Sequence, residues 1–67
     1  MDLDGPSELG VTILRLLNEG KSIEEISKSA GVQPAAVGME LARLEIGGHI
    51  SAEGQLTDKG KACLSGR

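Results

Sequence analysis

Phe, Tyr and Trp are all absent from the 67 residues. Any core must therefore be built from Leu, Ile, Val, Met and Ala, and no aromatic platform exists for stacking single-stranded bases. The one cysteine, Cys63, excludes an internal disulfide and a thiolate-rich metal site within one chain. It sits in the apolar setting "KACL" and reads as a small buried or half-buried residue. The lone His49 has no Cys or second His at ligand spacing, so no metal is expected. No apolar run approaches a membrane span, and the leading "MDLDGPSE" is acidic where a signal peptide is basic. A cytoplasmic location without membrane attachment is the resulting expectation. Catalytic signatures are missing too: no Ser-His-Asp set, paired-carboxylate cleft or phosphate-cradling glycine loop occurs. Neither an enzyme nor a cofactor is expected.

What is present suits one folded domain over residues 1–67. A composition of 39% hydrophobic and 25% charged residues is that of a globule rather than a disordered tail. A chain of this size buries only about 60% of its extended surface, so its stability is marginal unless a partner adds to it. The net charge is −3. Residues 1–30 hold three basic side chains (Arg15, Lys21, Lys28) against six acidic ones, whereas residues 31–67 hold four of each sign. The acidity is thus confined to the first half.

Turn and capping signals divide the chain into four helical stretches. The first is expected to begin near Pro6 or Ser7 and to stop at Gly20, with Leu3 a possible contact ahead of it. Gly10, Ile13, Leu14 and Leu17 share its inner face, broadened by Leu9 and Leu16. In "KSIEEISKSAGV", Ser22 and Glu25 stand three apart, the spacing of a capping box; Ile23, Ile26 and Ala30 line one side, and Gly31 is the left-handed stop sealed by Val32. Pro34 opens a third helix whose core stripe is Val37, Leu41 and Leu44, ended by Gly47 and Gly48. His49–Ala52 and Gln55–Thr57 flank Glu53-Gly54, a hairpin signal. Thr57 can cap a last helix bearing Ala62 and Leu64. The predicted fold is mainly α with a small two-stranded β-wing: a three-helix core, a β-hairpin and a short C-terminal helix, the order of a winged helix-turn-helix.

Helix 2, the "SAGV" turn and helix 3 resemble the helix-turn-helix of bacterial and archaeal regulators. "LARLEIGGHI" followed by "LTDKGKACL" is similar to winged-helix regulators of the MarR and PadR type, where a Thr-x-x-Gly step joins the wing to the next helix. Leu41, Leu44, Glu45, Ile46, Gly48 and Ile50 are also similar to the C-terminal winged helix of the DNA-processing protein A family. These resemblances imply a small module that binds double-stranded DNA, either a transcriptional regulator or an accessory domain. Recognition helices of such regulators carry Ser, Thr and Arg near their start, where Ala36, Gly38 and Met39 stand in this chain.

With the Val37–Leu41–Leu44 stripe inward, Ala35, Met39, Ala42 and Ile46 fall on the outer side of helix 3. Direct readout of base edges needs Arg, Lys, Asn or Gln, or small apolar groups against thymine methyls. Gln33 and Arg43 meet the first requirement, Ala35 and Ala42 the second, and Gly38 and Met39 complete the surface. Lys21 and Lys28 flank helix 2 as candidate phosphate contacts. The hairpin "SAEGQ" has no cation. A row ending in Met39 and Ile46 equally describes a contact surface for a protein partner or a homodimer. Two further alternatives are open: Ile46 tucked against the hairpin or helix 1, and Arg43 held by Glu40.

Overall fold

A computed structural model describes residues 7–65; Leu3 and Pro6 lie outside the described residues. Four helices follow in order, α1 (Glu8–Asn18), α2 (Ile23–Ala30), α3 (Pro34–Ile46) and α4 (Asp58–Ser65). Each start and stop has a local cause. The Ser7 hydroxyl accepts the Gly10 N–H at 3.1 Å and caps α1. Beyond its end, Gly20 takes φ +84°, which an L side chain resists. At α2 both bonds of the capping box form: Ser22 N–H donates to Glu25 Oε1 at 2.9 Å, and Glu25 N–H donates to Ser22 Oγ at 3.2 Å. Gly31, at φ +72°, stops α2 after eight residues. Pro34 occupies the first turn of α3, where its missing N–H leaves no bond unmade.

The three longer-range faces meet in one small core. Ile13 and Leu14 from α1, Ile26 from α2, Val37 and Leu44 from α3, and Ile50 beyond α3 are buried. Leu41, Val32, Leu56, Cys63 and Leu64 pack around them half-buried. Helices α1, α2 and α3 all touch one another, and α4 lies on α1. Two expected core positions are not inside. Ile23, the first residue of α2, sits at the rim of the bundle and is exposed, and Ala62 of α4 faces solvent while Gly60 is buried.

The expected two-stranded β-wing is not present. The described residues form an all-helical fold with no strand or sheet, and the link between α3 and α4 contains one isolated antiparallel bridge, Ile50 to Leu56. The physical reason lies in competition for donors. Ser51 N–H donates to Gln55 O at 2.7 Å and Gly54 N–H to Ser51 O at 2.9 Å, closing a tight turn. The Ser51 hydroxyl then takes the Gln55 N–H at 3.2 Å, the donor that a longer ladder would return to Ser51 O, and the Glu53 N–H of the turn at 3.3 Å. At the other end Thr57 is already engaged. Its hydroxyl donates to Gly48 O at 2.6 Å and accepts the Gly60 N–H at 3.2 Å, committing the chain to α4.

His49 and Gly60 tie that link to α4. The His49 N–H donates to Leu44 O at 2.8 Å, and its carbonyl accepts the Thr57 N–H at 3.0 Å. The imidazole is buried, and its Nδ1 has no hydrogen-bond partner. Gly60 backs directly onto the same residue, so that a Cβ there would collide with the His49 carbonyl oxygen. Backbone cannot move aside as a side-chain tip can. Gly60→Ala is therefore expected to cost about 1–3 kcal/mol, read as a lower urea midpoint; an unchanged midpoint contradicts the close approach.

The capping box carries a pH signature. The Ser22 N–H holds the Glu25 carboxyl below its ordinary value against the opposing effect of desolvation, with Lys21 and the Ser22 hydroxyl adding to the lowering. A depressed carboxyl contributes stability that is fully present above its unfolded pKa and is lost as pH falls through the folded one. Glu25→Gln keeps an acceptor but cannot titrate. Its stability is expected to fall less steeply than the wild type's as pH drops through the carboxylate range, in paired chemical denaturation series. Parallel pH profiles would contradict the assignment.

Candidate functional site

Helix α3 is thirteen residues, about 20 Å long at 1.5 Å per residue, and its two sides differ completely. Val37 and Leu44 are fully or almost fully buried, and Leu41 is half-buried beside them. Ala35, Gly38, Met39, Ala42, Arg43 and Ile46 are all exposed. Met39 is 63% accessible and Ile46 87%. Ile46 therefore does not tuck against the body of the fold; it is the most exposed large apolar side chain among the described residues.

The polar candidates are dispersed. Gln33 precedes the helix, and its side chain makes no capping bond, so it is free at the α3 start. Arg43 Nη1 lies 3.5 Å from Glu40 Oε2, with the Arg side chain 71% exposed and the Glu 16%. Glu40 also accepts from the Ser7 hydroxyl at 3.4 Å, which links the start of α1 to the flank of α3. A long, solvent-exposed pair of this kind contributes on the order of 0–1 kcal/mol. Lys28 lies in the last turn of α2, and Lys21, between α1 and α2, lies beside the groove flank of α3. Lys59 is occupied otherwise: its Nζ donates to Gly47 O at 2.8 Å, satisfying a carbonyl at the α3 C-terminus.

A groove of about 520 Å³ opens alongside this face. Gly38, Leu41 and Ala42 form its α3 wall, and Leu17, Ile23 and Ile50 face them from the neighbouring segments. Ile23, 45% exposed, is the contributor that helical spacing misassigned to the interior. Its position immediately after the Ser22 cap was the available signal, because the first residue of a short helix lies at the bundle's rim. Lys21, Glu45 and Glu53 add charge of both signs to the groove.

Such a surface can bury apolar area and choose a partner by shape. Among the described residues no group of three or more His, Cys, Asp or Glu side chains could hold a metal ion, and no helix is long and apolar enough to cross a membrane. No family model matches the chain, and no curated protein or solved structure is significantly similar to it. Two neighbouring substitutions test the division of α3. Leu44→Ala is expected to cost about 2–5 kcal/mol. Ile46→Ala, in dilute protein, should stay within about 0.5 kcal/mol of wild type; equal losses would contradict the division.

Proposed function

We propose that this chain is a protein-contact module whose binding surface is the outer face of α3 with the groove beside it. The carrying observation is the exposure of Met39 and Ile46 on a helix whose opposite stripe is buried. Leaving an isoleucine in water forgoes about 1.5–3 kcal/mol. That is large for a chain whose whole stability, at about 0.05–0.15 kcal/mol per residue, is roughly 3–10 kcal/mol. A partner that covers the face recovers it. Charge supports the same reading, since the outer face of α3 carries one cation, Arg43, already beside Glu40, the groove sets Lys21 against Glu45 and Glu53, and the surplus of carboxylates lies in the first half of the chain.

A second reading has its own support. Helices α2 and α3 are joined by residues 31–33 with Gly31 left-handed, the arrangement of a helix-turn-helix unit. In that reading the module binds duplex DNA as a transcriptional regulator or accessory domain. Gln33, Ala35, Gly38, Met39 and Arg43 meet the major groove, and Lys21 and Lys28 meet phosphates. The cations are few. About three phosphate contacts give a salt slope near −3.

Titration with a mixed-sequence duplex at low salt, followed as salt is raised, separates the two. The protein-contact reading expects no saturable duplex binding, or weak binding indifferent to Arg43→Ala. Binding that strengthens as salt falls and is lost in Arg43→Ala would overturn it in favour of DNA.

A further inference from the structure

We propose that the occupant of the α3 face is a second copy of this chain, packed antiparallel about a twofold axis at the midpoint between Glu40 and Leu41. This rests on the protein-contact reading and names its partner. Ala35, Met39, Ala42 and Ile46 recur at intervals of four, three and four, the alternation of a two-helix seam. The row is also complementary to its own reverse. Ala35 and Ile46 are equidistant from the midpoint, and so are Met39 and Ala42. Antiparallel pairing therefore sets each bulky side chain against a methyl. Parallel pairing would oppose Ile to Ile and Met to Met, with voids between facing alanines.

Gly38 is the second observation. It lies inside α3 in ordinary helical conformation, and a Cβ placed there would meet nothing within 4 Å. A mid-helix glycine costs about 1 kcal/mol relative to alanine, and nothing inside the fold requires it. Its absent side chain is useful to a neighbour that comes close. In the antiparallel pair the second copy's Met39 descends over Ala42 beside Gly38, where the groove begins, and methionine adapts well to such irregular space.

Charge is compatible with the same occupant, and area sets how tightly it binds. On one flank Arg43 faces Ala36 of the second copy, and on the groove flank Glu45 faces Gly38, so no like charges oppose between the two helices. The groove flank includes Lys21, of opposite sign to the arriving Glu45, and Glu53, of the same sign, so the flank as a whole is close to neutral towards it. A single helix face about 20 Å by 10–12 Å falls short of the roughly 800 Å² per partner of a standard interface. Ile23 and Leu41 in the groove extend it, which places the dimer at the weak end of specific interfaces, with a dissociation constant in the micromolar range or above.

Sedimentation equilibrium of the full chain from about 10 μM to about 1 mM is expected to show the mass rising from one chain towards two. Gly38→Ala should raise the unfolding temperature in dilute protein yet weaken association about tenfold or more, and Met39→Asp should abolish it. The decisive variant exchanges the pair. Met39→Ala alone and Ala42→Met alone each weaken the dimer, whereas the double substitution restores the opposition of large to small and rescues it. A wild type that stays monomeric throughout, or an exchange that fails to rescue, overturns the self-pairing. The first result leaves the α3 face to a different protein, and salt-dependent duplex binding lost in Arg43→Ala overturns that reading as well.

Discussion

The burial of six aliphatic side chains, Ile13, Leu14, Ile26, Val37, Leu44 and Ile50, is the constraint on which everything else rests. Without aromatic residues no single side chain supplies a large anchoring area. Each helix must therefore present its stripe to the same small volume, and the helices must be started and stopped accurately. The capping box at α2, the left-handed Gly31 and the Lys59 bond to Gly47 serve that accuracy. So does Gly60, whose missing Cβ lets α4 lie against the backbone of His49.

A core this small leaves apolar side chains over. Once Val37, Leu41 and Leu44 turn inward, the geometry of α3 obliges Ala35, Met39, Ala42 and Ile46 to turn outward. The inward stripe and the outward row are consequences of one helical phase. The fold therefore pays for its core with a water-facing apolar row, and that row gives a reason for association without any catalytic or metal chemistry. Gly38 belongs to the same pattern, since its cost falls on the isolated helix and its use lies outside it.

Local chemistry was legible in the sequence where one short stretch decides the outcome. Ser22 with Glu25, Gly31, Pro34, the glycine pair at 47–48 and the Thr57 cap all act through bonds within a few residues. The helical phase of α3 was legible for the same reason, because a stripe of three apolar residues fixes it. The β-wing was not. Its hairpin signal, Gly54 with positive φ, was sound, but strand length depends on whether neighbouring side chains leave the ladder its partners: the Ser51 hydroxyl takes the Gln55 N–H, and the Thr57 hydroxyl occupies Gly48 O and the Gly60 N–H. Ile23 and Ala62 were misplaced for a related reason. Periodicity gives the angle around a helix, whereas burial near an end depends on what packs beyond it.

On the proposed pairing, the Met39 side of α3 is open in the single chain and closed by association. The rate of Met39 sulfoxidation by dilute peroxide, mapped by peptide mass, reports this most directly, because thioether oxidation follows exposure. In dilute protein Met39 should oxidise nearly as fast as a free methionine peptide, and the rate should fall several-fold as the chain is concentrated. A slow rate at every concentration would mean that the fold itself covers the side chain, and a fast rate at every concentration would mean that nothing made by this chain does.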